Sequence, residues 1–215
     1  MPSPEDTYQT ISAPTTGDFR DRGSKFFAYA FPIRSEADWQ TALNGVKSEH
    51  PKARHWCFAY RLGTDGNNFR ANDDGEPSGT AGKPILGQID SFGLTDVFIV
   101  VVRYFGGTLL GASGLINAYR AAARLALEAA TIETKVITRQ VRLEFDYSIM
   151  PEVMNAVKGQ QLEILEQEFT DHGMLRIGVP RSELERTLIR LKVDISGGYE
   201  DDLPERIEGL TLTRE

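Results

Sequence analysis

One apolar run constrains the fold more than any other part of the chain. Residues 94–104, which contain VFIVVV, lie between two polar, glycine-rich segments at 73–83 and 106–114. A short continuous apolar run bounded by turn residues is typical of a strand that is buried on both faces. The sequence therefore predicts a central buried strand with a glycine-rich turn and an amphipathic helix on each side.

The other elements of the first 138 residues surround this strand. Alternating aromatic and small residues predict strands at 24–33 and 53–63, whereas residues 1–24 are expected to be irregular or to form an edge. Three helices are expected, each with a polar residue at its N-terminus. The expected capping residues are Ser35 with Asp38, Thr80 or Ser78, and Ser113.

The pattern changes after residue 138. Alternation at 141–147, 162–169, 174–179 and 210–212 predicts four strands, and Pro151 and the capping box at 182–185 each predict the start of a helix. The resulting order β-α-β-β-α-β is that of a ferredoxin-like domain. We therefore predict an α+β chain with one domain at 1–138 and a second at 139–215.

Charge and composition narrow the class of protein. Residues 1–138 hold 14 Lys and Arg against 15 Asp and Glu, whereas residues 139–215 hold 10 against 16. The second domain is therefore not expected to bind nucleic acid through a general positive charge. One cysteine, no signal-peptide pattern and no apolar run long enough to span a bilayer favour a cytoplasmic protein with no membrane association.

The glycine-rich segment after the central strand is the first candidate site. Glycines beside a helix N-terminus allow an anion to approach free backbone N–H groups, and an arginine at the end of the strand can bind phosphate. The alternative is that these glycines serve only positive-φ turns and close packing. The candidate ligand-binding residues are Arg103, Gly106, Gly107, Gly111, Ser113 and Gly114.

The segment before the strand is the second candidate. Asp73, Asp74 and Glu76 lie within four positions and are followed by Ser78, Thr80 and Lys83. Clustered carboxylates can hold Mg²⁺ through water while a lysine neutralises a phosphate. The alternative is a solvated turn in which a hydroxyl caps the next helix. We predict ligand binding at these six residues, with no resident metal and no cofactor.

Two further patterns are weaker. His55 and Cys57 point to the same face of one strand, but a cysteine among aromatic residues is usually a small core residue, so no catalytic residue is assigned. The aromatic residues of 26–31 beside Lys25 suit either base stacking or a packed sheet, and we favour the packed sheet.

Three blocks of the chain stand out as long motifs: DDGEPSGTAGKPIL, VVRYFGGTLLGASGLINAY and ARHWCFAYRLG. They resemble the IMPACT family, whose bacterial members are YigZ-like proteins. The chain departs from the family pattern at Ser113, where glycine is common, and at Asn117, where a basic residue is common. The resemblance implies an N-terminal domain with the left-handed βαβ fold of a small-subunit ribosomal protein and elongation factor G. It also implies a ferredoxin-like C-terminal domain similar to the last domains of elongation factor G.

The resemblance further implies a role in translation. Eukaryotic relatives regulate translation by competing for an activator of an initiation-factor kinase, but they carry a different partner-binding domain. Our leading hypothesis is a binding or regulatory protein of translation or RNA metabolism, with RNA, the ribosome or a nucleotide phosphate as partner. The alternatives are a Mg²⁺-dependent phosphotransferase or hydrolase that uses the same cleft, and an adaptor that binds a protein partner.

Overall fold

The central apolar run is strand β6 (Val97–Tyr104) in the computed structural model, which describes residues 6–215. Seven of its eight residues are buried, as expected for a strand covered on both faces. Its neighbours on the two sides are β3 (Ser24–Pro32) and β4 (His55–Leu62), both antiparallel to it. The two predicted strands thus flank the central one.

Strands β2 (Thr15–Asp21) and β5 (Asn68–Asn72) complete this sheet in the order β2-β3-β6-β4-β5. Strands β1 (Thr7–Ile11) and β7 (Ile132–Val136) pair in a separate two-stranded sheet. The edge alternative predicted for the start of the chain is confirmed for β2, which lies at the edge of the five-stranded sheet, whereas the irregular alternative was wrong for the residues that form β1 and β2. Strand β2 alternates between half-buried and exposed residues, but Thr and Gly mask this alternation in the sequence. The first five residues of the predicted segment lie outside the described residues.

Helices cover both faces of the five-stranded sheet. Helix α1 (Glu36–Glu49) packs Trp39, Leu43 and Val46 against one face. Helices α2 (Gly82–Ser91) and α3 (Gly111–Glu128) pack against the other. The alanine-rich part of α3 lies close to β2. Gly17 of β2 permits this approach, because a Cβ there would overlap the α3 backbone.

The helix starts test the capping predictions. The Ser35 side chain accepts a hydrogen bond from the Asp38 N–H at 3.3 Å, and Asp38 accepts one from the Ser35 N–H at 3.0 Å, which confirms the capping box. The predictions for Thr80 or Ser78 and for Ser113 were wrong. Helix α2 has Ala81 at its N-cap, and α3 begins two residues before Ser113, with Leu110 at its N-cap.

The second part of the chain has the predicted element order. It contains β8 (Thr138–Phe145), α4 (Met150–Gly159), β9 (Glu163–Phe169), β10 (Gly173–Pro180), α5 (Leu184–Ser196) and β11 (Leu210–Arg214). The antiparallel sheet has the order β11-β8-β10-β9, and this arrangement confirms the ferredoxin-like prediction. The predicted capping box at 182–185 was wrong: Ser182 hydrogen-bonds the Asp6 carboxylate, and α5 has no side-chain cap.

Residues 8–135 form one compact unit, and residues 136–215 together with Asp6 and Thr7 form the other. The α+β class is thus confirmed, while the division into independent domains at residue 138 stays a prediction. Within residues 6–215, no helix combines the length and the apolar character needed to cross a membrane.

Candidate functional site

Asp73 organises the loop between β5 and α2. Its Oδ1 accepts hydrogen bonds from the N–H groups of Ala81 and Gly82, both at 2.9 Å, and its Oδ2 accepts one from Gly79 at 2.8 Å. Burial alone would raise the pKa of the Asp73 carboxyl, but the three N–H donors outweigh it and lower the pKa. Asp73 therefore satisfies the free N–H groups at the start of α2, the task predicted for a hydroxyl.

Replacing Asp73 with alanine is expected to lower the free energy of unfolding by about 1–2 kcal/mol near neutral pH, because α2 loses its cap. The folded pKa lies below the unfolded value of about 3.9, so the stabilisation is present above pH 4 and is lost as the pH falls through the folded pKa. Urea unfolding from pH 7 to pH 3 measures this. The free energy of unfolding of Asp73→Asn, which keeps an acceptor without the charge, should lie between those of the native protein and Asp73→Ala. If the difference between the native protein and Asp73→Ala did not change with pH, the role of the Asp73 carboxylate as the cap of α2 would be contradicted.

Asp74 ties the same loop to β4. Its Oδ2 accepts a hydrogen bond from the Trp56 N–H at 2.7 Å, and its backbone oxygen lies 2.8 Å from His55 Nδ1. A carbonyl oxygen can only accept, so Nδ1 of His55 carries the proton. In the neutral ring this leaves Nε2 as the acceptor.

Glu76 forms the buried part of the site. Its Oε1 accepts hydrogen bonds from Arg103 at 2.6 Å and from the Tyr119 hydroxyl at 2.8 Å. The side chains of Glu76 and Arg103 are only 4% and 8% exposed. Phe26 and Phe105 lie on the Arg103 guanidinium, with ring centroids 5.6 and 5.7 Å away. Glu76 therefore neutralises much of the charge that the sequence assigned to phosphate binding.

Cys57 lies next to this buried group and does not form a pair with His55. Its Sγ donates to the Asp73 carbonyl oxygen at 3.0 Å and lies 3.2 Å from the Tyr119 hydroxyl. Burial raises the pKa of the Cys57 thiol far above its usual range. The thiol is therefore a buried hydrogen-bonding core group, which agrees with the core interpretation of its sequence context.

The three carboxylates of the loop thus point to three different protein partners: backbone N–H groups at the helix start, the β4 backbone, and the Arg103–Tyr119 pair. Across residues 6–215, no three or more His, Cys, Asp or Glu side chains are placed to hold a metal ion. Thr80 donates to the Pro77 carbonyl oxygen at 2.6 Å, while Ser78 and Lys83 are exposed. Among the six candidate residues of this segment, only Ser78 and Lys83 therefore have exposed side chains.

The glycines after β6 serve backbone geometry. Gly107 and Gly111 have φ of 86° and 72°, a region that other residues rarely adopt. A Cβ at Gly106 would overlap the backbone of Gly23 and Ser24, and a Cβ at Gly114 would lie 2.9 Å from the Leu110 Cβ. Turn conformation and close packing, the alternative considered from the sequence, thus account for these four positions. Ser113 is exposed in the first turn of α3.

Two neighbouring cavities lie at the end of the sheet where β3 and β4 begin and β6 ends. The basic cavity, of about 430 Å³, is lined by Lys52, Arg54, His55, Arg103, Tyr104 and Phe105. The aromatic cavity, of about 370 Å³, is lined by Gly23, Lys25, Phe27, His50, Tyr104 and Phe105. Tyr104 and Phe105 belong to both. None of the described residues that line either cavity is acidic.

Sequence reasoning found Arg103 but missed most of the other residues that line these cavities. The signal lies in the strand register, which places Lys25 opposite Tyr104 and His55 opposite Arg103. The segment at 73–83 borders the basic cavity, because the backbone of Asp74 holds His55 and the side chain of Glu76 holds Arg103. This segment is thus a frame of the site, and of the candidate residues at 103–114 only Arg103 lines the basic cavity.

Comparison with known proteins places the chain in a family. Residues 22–127 match the family model described as the Impact N-terminal domain. The chain is 36% identical over 176 residues to an IMPACT family member of Haemophilus influenzae, covering 81% of this chain and 85% of that protein. It is 35% identical over 159 residues to IMPACT family member YigZ of Escherichia coli, covering 73% and 77% of the two chains.

A solved structure agrees with this relationship. The crystal structure of a hypothetical protein superimposes with a TM-score of 0.72 and 29% sequence identity over 96% of each chain. The similarity therefore extends over both units and is not confined to the three motif blocks. On the combined evidence of the domain match and of relatives aligned over most of their length, the chain belongs to the IMPACT family.

Proposed function

We propose that this chain is a cytoplasmic binding or regulatory protein of translation or RNA metabolism, and that its N-terminal unit binds a phosphate-bearing ligand such as RNA. The observation that carries the proposal is the basic cavity at the end of the five-stranded sheet. Lys52 and Arg54 are exposed at its rim, and no acidic side chain of the described residues lines it. The translational context is the one that membership of the IMPACT family supports.

The charge for phosphate binding comes from the rim of this cavity. Arg103 is already paired with Glu76, so its guanidinium contributes little net charge to a ligand. No hydrogen bond or ion pair joins the side chain of Lys52 or Arg54 to another described residue, and Lys25 is exposed at the adjoining cavity. Exposed cations that converge on one concave surface attract a phosphate backbone without competition from internal ion pairs.

Part of the predicted ligand-binding set retains a place in this proposal. Ser78, Lys83, Gly107 and Ser113 are exposed members of the predicted set, and we propose that an extended ligand would contact them. Asp73, Asp74 and Glu76 are proposed to act through the backbone and side chains that they hold. The enzymatic alternative requires a carboxylate free to bind Mg²⁺ or to act as a base, and each of the three already has a protein partner. We therefore make no second proposal.

Removing the rim cations tests the function. The Lys52→Ala, Arg54→Ala double variant should lower affinity for a labelled single-stranded RNA by about tenfold or more near 0.1 M salt, since two phosphate contacts are lost. The slope of log affinity against log salt should fall in magnitude by about 1.4. Fluorescence anisotropy measures the affinity, and co-sedimentation with ribosomes tests the partner.

The matched control removes the same charge elsewhere in the unit. Arg120 and Arg124 are exposed cations of α3 that line neither cavity, so the Arg120→Ala, Arg124→Ala variant should bind RNA like the native protein. Failure of the native protein to associate with either RNA or ribosomes would refute the proposal. So would an equal loss of affinity in both double variants, because binding would then follow total charge and not the cavity.

A further inference from the structure

The aromatic side chains between the two cavities specify the ligand more narrowly. We propose that the basic and aromatic cavities form one two-part site for single-stranded RNA, in which Lys52 and Arg54 hold phosphates and an unpaired base stacks on Phe105. The inference rests on the proposed function, because it assumes that the basic cavity takes phosphate. It adds the requirement for an unpaired base.

Phe105 is the stacking surface. It is 57% exposed at the end of β6, although an aromatic ring of this size is usually buried. The Arg103 guanidinium lies 5.7 Å from its ring centroid. Its ring packs against no other aromatic ring of residues 6–215. Phe105 therefore offers a nucleobase an open aromatic surface between the two cavities.

Other side chains that line the aromatic cavity are held in place by contacts within the protein. Both ring nitrogens of His50 form hydrogen bonds, Nε2 with the Tyr29 hydroxyl at 2.6 Å and Nδ1 with the Tyr104 hydroxyl at 3.0 Å. The His50 ring also stacks on Phe27 at 5.7 Å. These contacts fix the side chains of the aromatic cavity before a ligand arrives, so binding costs little ordering of the protein. A base entering the cavity would meet a preformed surface.

The arrangement favours a single strand over a duplex. The shared Tyr104 and Phe105 place the phosphate part of the site directly beside the base part. The bases of a duplex are stacked on each other and cannot lie on a protein ring without leaving the helix.

The substitution Phe105→Leu separates stacking from charge. With a labelled ten-nucleotide oligouridine, we expect the variant to lose about tenfold in affinity, because a leucine cannot stack on a base. Binding of inorganic polyphosphate, which has no base, should be unchanged, as should the thermal midpoint of unfolding. Leu109→Ala is the matched control, since Leu109 is 82% exposed in the same turn and lines neither cavity.

The outcomes distinguish this inference from the proposed function. If native protein binds neither oligouridine nor polyphosphate, both proposals fall. If it binds both and Phe105→Leu weakens neither, phosphate binding stands and the stacking inference is overturned. Equal affinity for the oligouridine and for a ten-base-pair RNA duplex also overturns it. The stacking inference is supported if Phe105→Leu loses affinity for the oligouridine but not for polyphosphate, and if Leu109→Ala loses neither.

Discussion

Replacing Glu76 with alanine should destabilise the first unit by about 3–5 kcal/mol, because the substitution leaves the Arg103 guanidinium buried without a counter-charge. The Arg103–Glu76 distance is 2.6 Å, and both side chains are almost completely buried. The Tyr119 hydroxyl, which donates to the same carboxylate oxygen, also loses its acceptor. Urea unfolding followed by tryptophan fluorescence measures the loss in this unit, since both tryptophans, Trp39 and Trp56, lie within it.

An exposed ion pair in the same unit provides the control. Arg124 and Glu128 are 2.7 Å apart on α3, with side chains 62% and 44% exposed, so Glu128→Ala should cost only about 0.3–0.5 kcal/mol. The Glu76→Leu, Arg103→Leu double variant should recover much of the lost stability, because an apolar pair leaves no buried charge. If Glu76→Ala and Glu128→Ala lowered the free energy of unfolding equally, the prediction that burial makes the Glu76–Arg103 pair important for stability would be contradicted.

The candidate site shows which features the sequence could predict. The capping box of Ser35 and Asp38 was predicted because both partners lie within four residues and no distant group competes for them. Ser113 and Ser182 were predicted as caps on the same local grounds, and both predictions were wrong. Helix α3 begins where Gly111 takes a φ of 72°, and Ser182 bonds an aspartate 176 positions away.

The carboxylates of residues 73–76 show the same limit. Their spacing in the sequence suggested convergence on a ligand, but their partners lie on β4, on β6, at the start of α2 and on α3. The Glu76 partners, Arg103 and Tyr119, are 27 and 43 residues away. The basic and aromatic cavities were missed because Lys25, Lys52 and Phe105 are brought together only by the antiparallel register of three strands. Local patterns thus predicted the elements, whereas non-local pairing decides what each polar group does.

Alanine at Gly82 and at Gly87 should change stability in opposite directions, although both glycines lie in α2. A Cβ at Gly82 would lie 2.5 Å from the backbone nitrogen of Asn72 and 3.0 Å from the carbonyl carbon of Ala71. These are backbone atoms of β5 and the loop, so neither can turn aside as a flexible side chain would. We expect Gly82→Ala to cost about 3 kcal/mol through overpacking. Nothing lies within 4 Å of a Cβ at Gly87, where alanine should add about 0.5–1 kcal/mol.

The comparison also tests how the loop supports the candidate site. The Gly82 N–H donates to Asp73, so moving α2 away from β5 should loosen the loop whose next residue, Asp74, holds His55 at the basic cavity. Gly82→Ala should therefore weaken RNA binding under conditions where the variant remains folded, whereas Gly87→Ala should leave it unchanged. Urea unfolding and RNA anisotropy on the same two variants measure both effects. Destabilisation by both substitutions, or by neither, would contradict the close approach of α2 to β5 at Gly82.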